Sequence, residues 1–169
     1  MSEDLLSIYL NDHLAGATAG VDLAREIAED TAGSTLGRVM EQLARDIEAD
    51  RAVLEELIER LEFGQQTVKQ AVGWMAEKMS RLRLNRVSAG SDELAFLMSL
   101  EALAMGVDGK RNLWQALQEV AAQEPAVAEL DLPALVRRAE AQHDVLETHR
   151  RAAAPAALGR PEGGRVTPG

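Results

Sequence analysis

Apolar residues recur every three to four positions along four long stretches of this chain, which is the periodicity of an amphipathic α-helix. The predicted helices run over residues 3–30, 35–63, 92–122 and 131–153. The β-branched runs typical of strands are missing, so the pattern predicts an all-α fold, a four-helix bundle. A serine or aspartate stands at the start of each helix, as N-caps should; these residues are Ser2, Ser34, Ser91 and Asp131.

Two segments outside the long helices differ in character. Residues 64–90 hold five basic residues and one acid, and their apolar spacing predicts a short crossover helix between the second and third long helices. This basic segment either lies against acidic surface of the bundle or docks an anionic protein partner. Residues 154–169 are rich in Pro and Gly, so we expect a disordered C-terminal tail after a bundle over residues 1–153.

Composition narrows the classes of function. The chain has no cysteine, which excludes disulfides, thiolate zinc sites, iron–sulfur clusters and Cys nucleophiles. Its net charge of −10 disfavours a nucleic-acid partner. The acidic start lacks the pattern of a signal peptide, and no run of about 18 apolar residues could span a membrane. We therefore expect a cytoplasmic protein with no membrane partner.

Several ionisable residues lie on the apolar stripes, where an unpaired buried charge costs several kcal/mol. Residues at i±3, i±4 and i±7 share a helix face, and for Glu101 five of these six positions are apolar. The neighbours of Asp50 are also mostly apolar, whereas those of His143 are mixed. The pattern therefore predicts that Glu101 and Asp50 point inward and that His143 stands at the boundary.

Counting from the turns places polar residues of different helices at similar heights. His13 and Asp50 each lie about 19 residues from the first turn at the usual helical rise. Asp108 lies about 19 residues before the second turn, and His143 about 16 after it. If residues 64–90 cross the length of the bundle, all four helices bring polar groups to its middle.

Two helix pairs joined by a long crossover resemble the ferritin-like superfamily. In that family, di-iron or di-manganese sites use one Glu from each of two helices and Glu-x-x-His from each of the other two. Glu140-Ala-Gln-His143 matches the second pattern, and the third helix offers Glu101. The stretch from Tyr9 to Gly20, YLNDHLAGATAG, is similar to bacterial proteins of ferritin-like type. The resemblance implies a ferritin-like bundle over about residues 3–153.

The metal-ligand pattern departs from that of the family in two helices. Glu48-Ala-Asp-Arg51 places arginine where the family has histidine, and arginine keeps its positive charge. The first helix offers His13 with Asp12 instead of a glutamate. The ligand set that the resemblance implies is therefore degenerate, and it consists of His13, Asp50, Glu101, Glu140 and His143.

The favoured hypothesis is a non-catalytic structural or interaction protein without a cofactor. In it, a buried ion network of His13, Asp50, Arg51 and Asp108 holds the helices in register. The alternative is a metal-binding protein of oxidase or storage type, with iron or manganese on the degenerate ligand set. A third hypothesis is a homodimer that associates through the small-residue face of the first helix or through the basic segment of residues 64–90. Another ligand in the same cavity also stays open. Gly106 and Gly109, in the middle of the third helix, predict close packing or a local bend.

Overall fold

The computed structural model describes residues 2–61 and 91–159, with side chains from residue 5 onwards. Within these ranges the regular structure is all helical, as predicted, and no strand is present. None of the described helices is both long and apolar enough to cross a membrane. The helices are α1 (Ser2–Asp30), α2 (Thr35–Arg60), α3 (Asp92–Val120), α4 (Pro125–Ala128) and α5 (Leu132–Leu158).

Three of the four predicted N-caps are confirmed, and each accepts a hydrogen bond from the backbone N–H three residues further on. The donor–acceptor distance is 2.9 Å at Ser34, 3.1 Å at Ser91 and 3.0 Å at Asp131. Ser2 is instead the first residue of α1. In each case a side-chain oxygen satisfies a backbone N–H that would otherwise be unpaired at the start of the helix. The positions of these N-terminal ends could therefore be predicted from the local sequence.

The C-terminal ends of the helices differ more from the predicted positions. Helix α5 continues to Leu158, so residues 154–158 are helical although they were predicted to belong to a disordered tail. Pro155 removes a single backbone donor near the helix end, and the alanines around it are strong helix formers. The rest of that predicted tail, residues 160–169, lies outside the described residues, as does the predicted crossover helix.

The helices associate as two pairs. Helix α1 packs along α2, α3 packs along α5, and contacts between α1 and α3 join the pairs. The turn between α1 and α2 passes through Gly33, whose φ of +79° favours glycine. Between α3 and α5, the short helix α4 contacts both α3 and α2. It was not predicted, and Pro125 occupies its first turn.

The apolar core has two parts. One contains Ile47 and Val107, and the other contains Leu54 and Leu113 together with the buried indole of Trp114. On both α2 and α3, residues of one part and residues of the other are separated by about two helical turns. The side chains in these two turns lie between the apolar clusters, and they include the polar side chains described next.

Candidate functional site

Asp50 of α2 forms the centre of a buried polar cluster. Its side chain is 1% exposed, and its Oδ2 accepts hydrogen bonds from Lys110 Nζ at 2.5 Å and from Gln142 Nε2 at 3.0 Å. Its other oxygen, Oδ1, is in ion-pair contact with a guanidinium nitrogen of Arg138. The two carboxylate oxygens therefore each face a cation, and the contacts connect α2 with α3 and α5.

Lys110 completes the cluster from α3. Its side chain is 10% exposed, and its ammonium group also donates to Gln142 Oε1, so Asp50, Lys110 and Gln142 form a closed triangle. Burial lowers the pKa of Lys110 from its ordinary value, while the adjoining Asp50 carboxylate acts in the opposite direction. Two of the three ammonium hydrogens are used in the triangle, which leaves one without an assigned acceptor.

The partners of Asp50 differ from the predicted ones. Asp50 is buried as expected, but it contacts Lys110, Arg138 and Gln142 rather than His13, Arg51 and Asp108. Adjacent residues on a helix point about 100° apart, so Gln142 facing inward turns its neighbour His143 towards the boundary. The sequence does carry a signal for Gln142, because most residues one and two turns away from it are apolar; they are Leu135, Ala139, Val145 and Leu146.

The other members of the predicted ion network have different partners. Arg51 Nε lies 3.7 Å from a carboxylate oxygen of Glu55, one turn further along α2. Asp108 is 40% exposed; its Oδ1 lies 3.1 Å from Arg111, and its Oδ2 lies 3.7 Å from Nε2 of His143. The structure thus brings Asp108 and His143 together, as the height count predicted, but at the edge of the bundle.

Glu101, predicted to point inward, is 46% exposed and lies 3.5 Å from Arg150 of α5. The inference was wrong because one of its apolar neighbours, Met105, is itself 67% exposed. The apolar face of α3 is wider than the buried face, so apolar neighbours did not report depth. Glu140 is also exposed. Across residues 2–61 and 91–159, no three His, Asp or Glu side chains are gathered as a metal site would need.

His13 lies on α1 with its ring against Tyr9, at a centroid distance of 4.6 Å and in an edge-to-face arrangement. Burial lowers the pKa of His13, and the neighbouring Asp12 opposes that shift. His13 therefore favours the neutral form more strongly in the folded protein than in the unfolded chain.

This shift predicts a pH dependence of stability. The pKa of His13 is lower in the folded state than its ordinary value of 6.5, so the unfolded chain binds more protons near and below that pH. The free energy of unfolding should rise with pH through the folded-state pKa and level off above about pH 7. We expect urea titrations from pH 4.5 to 8 to show this rise in the wild type relative to His13→Gln. A difference between the two proteins that is flat or falls with pH would contradict the assignment.

A cavity of about 230 Å³ lies between α1, α2 and α3. It brings together three of the four residues of the predicted ion network, namely His13, Asp50 and Arg51, although none of them contacts another through a hydrogen bond. Lys110 and Trp114 also lie on its wall. Asp12 adds a second carboxylate to the wall, and the remaining lining is apolar or small, with Leu23, Ile47, Leu103 and Val107 among the larger side chains.

Gly106 and Gly109 of α3 lie on the wall of this cavity. A Cβ atom built at either position meets no other atom within 4 Å in the described part of the chain. The predicted close packing at these glycines is therefore not found there. Each glycine costs about 1 kcal/mol relative to alanine in a helix interior, and what the pair provides is open volume beside the cavity.

The indole of Trp114 has an unusual environment for a buried side chain. The residue is 1% exposed, and its Nε1–H has no acceptor among the described residues. An unsatisfied buried donor costs about 1–3 kcal/mol, and most buried donors in folded proteins are satisfied. Because Trp114 lies on the cavity wall, an acceptor inside the cavity is the simplest way to satisfy it.

The central site thus combines a neutralised buried carboxylate with a cavity whose wall carries unpaired donors. No protein-family model, curated protein or solved structure matches this chain. What the site does must therefore be inferred from its own residues.

Proposed function

We propose that this chain is a non-catalytic four-helix bundle of ferritin-like type, in which a network of charged side chains occupies the centre instead of a metal. The observation that carries the proposal is the environment of Asp50. The carboxylate is buried, and Lys110 and Arg138 contact its two oxygens. A carboxylate in this state has its charge matched without a metal ion.

Competition between cations supports this proposal. A divalent metal on Asp50 would have to displace Lys110 or Arg138 from the carboxylate. Arg138 is 42% exposed and can turn to solvent, but the ammonium group of Lys110, at 10% exposure, would stay near the metal. Repulsion between like charges is strong where water is scarce, so such a site would bind metal weakly. Arg51, on the wall of the same cavity, adds a further positive charge.

The proposed role of the cluster is to hold α2 in register with α3 and α5. The close helix pairs are α1 with α2 and α3 with α5, so the contacts of Asp50 link members of different pairs. Apolar packing tolerates sliding, whereas a buried carboxylate finds its partners in only one register. We propose that the protein acts in the cytoplasm. Association with another protein or with a second copy of the chain is tested by measuring the native mass at several concentrations.

Metal content distinguishes this proposal from the metal-binding alternative. Purified protein is incubated anaerobically with Fe(II) and Mn(II), desalted, and analysed by metal mass spectrometry. We expect no stoichiometric metal and no oxygen consumption after addition of Fe(II). Binding of one or two ions per chain that is lost in His143→Ala would overturn the proposal and establish the alternative, with Glu101, Glu140 and His143 as ligands to examine first. Glu56→Ala, an exposed position on α2, serves as the control variant.

A further inference from the structure

The cavity between α1, α2 and α3 presents hydrogen-bond donors that lack acceptors. Trp114 Nε1 and Arg51 Nε are both buried atoms without a hydrogen-bond partner among the described residues. Lys110 uses two of its three ammonium hydrogens on Asp50 and Gln142. Lys110 and Trp114 are four residues apart on α3, so they lie on the same face of that helix.

Asp50, the buried carboxylate of the cavity wall, is contacted by two cations, Lys110 and Arg138, and the other carboxylate on the wall, Asp12, belongs to an exposed residue. Two of the donors described above, those of Lys110 and Arg51, belong to cationic side chains on the wall. A ligand that complements cationic donors carries acceptor oxygens and a negative charge. A carboxylate has both, and it accepts hydrogen bonds from several donors at once.

The rest of the wall favours an apolar body. Leu23, Ile47, Leu103 and Val107 line the cavity, and the other side chains there are mostly alanine and glycine. An apolar cavity of about 150 Å³ holds benzene in another protein. The volume of about 230 Å³ found here therefore accommodates a single ring with a few further atoms. Gly106 is exposed as well as lining the cavity, so the cavity reaches the surface beside α3.

We propose that this cavity binds a small, largely apolar carboxylic acid. Its carboxylate accepts hydrogen bonds from Trp114 and Lys110, and its apolar body lies against the aliphatic side chains. The glycines at 106 and 109 keep the space open that a larger residue would fill. This proposal is independent of whether the polar cluster excludes metal, since the donors that carry it lie on the cavity wall.

The test uses benzoate as the probe, with benzamide and toluene as the neutral polar and apolar counterparts, in calorimetric titrations at pH 7. We expect one benzoate per chain and weaker binding of benzamide and toluene. Trp114→Phe keeps a ring but removes the N–H, and it should weaken benzoate binding about tenfold while leaving toluene binding unchanged. Loss of packing alone would weaken all three probes together.

A second variant keeps the test decisive if Trp114→Phe folds poorly. Gly106→Leu should abolish benzoate binding because its side chain enters open cavity volume, and Ala116→Leu, exposed on the same helix and off the cavity wall, should bind as the wild type does. The proposal is overturned if none of the three probes binds at millimolar concentration. It is equally overturned if toluene binds as well as benzoate, or if Gly106→Leu retains wild-type affinity.

Discussion

Replacement of Asp50 by alanine is expected to lower the free energy of unfolding by about 3–5 kcal/mol, the range found when one partner of a buried ion pair is removed. The reason is the group left behind. Lys110 is only 10% exposed, and without the carboxylate its ammonium charge keeps only its hydrogen bond to Gln142 and the electrostatic influence of Asp46. The Asp50 carboxylate also raises the pKa of Lys110, so its loss should let burial lower that pKa further.

Urea denaturation of the single and double variants measures this effect. Asp50→Leu combined with Lys110→Met removes both buried charges, and the double variant should be more stable than Asp50→Leu alone because the remaining cation, Arg138, is 42% exposed and can reach water. Glu56→Ala, an exposed change on the same helix, should stay within about 0.5 kcal/mol of the wild type. A cost below about 1 kcal/mol for Asp50→Ala would show that water reaches this cluster freely.

Alanine in place of Gly37 is expected to destabilise the protein by about 1–3 kcal/mol, the usual range for overpacking. A Cβ at this position would lie 2.4 Å from the carbonyl oxygen of Thr31 and 3.3 Å from the Cα of Ala32. These are backbone atoms of the turn between α1 and α2, so relief requires the turn itself to move. The same substitution at Gly106 should have the opposite sign and stabilise by up to about 1 kcal/mol.

Thermal unfolding followed by circular dichroism compares the two variants directly. Both changes are Gly→Ala within a helix, so helix propensity favours alanine at both positions, and the opposite expected signs report the local space. The interpretation fails if Gly37→Ala melts at or above the wild-type temperature. It also fails if Gly106→Ala lowers the melting temperature, because a lower value would mean that the new Cβ collides with an atom where the structure has open volume.

Local features of the fold were predictable because their causes lie within a few residues. Ser34 and Asp131 cap their helices through bonds to backbone groups three residues away, and the sequence contains both partners. The inward position of Asp50 was predictable for a similar reason, since the residues one and two turns away on its helix decide which face it shares. The same reasoning failed for Glu101, so the depth at which Asp50 is buried also depended on how the other helices pack.

The partners of Asp50 could not be predicted in this way. Lys110 and Gln142 lie 60 and 92 residues from Asp50, and whether they meet it depends on how each helix is rotated about its axis. A rotation of about 100° exchanges Gln142 for His143, and this is the difference between a hydrogen-bonded network and a metal ligand at the centre. Helix periodicity predicts which face of a helix is apolar, but it does not predict which of two adjacent residues at the edge of that face points into the bundle.

The sequence by itself determined the all-helical character, the starts of three long helices and the apolar face of α2 on which Asp50 lies. These depend on periodicity and on hydrogen bonds over three or four residues. Only the tertiary structure decided that Glu101 is half-exposed, that Gly106 faces open volume and that Trp114 has no acceptor among the described residues. Each of these depends on what the neighbouring helices leave uncovered, and that is set by the packing of side chains far apart in the chain.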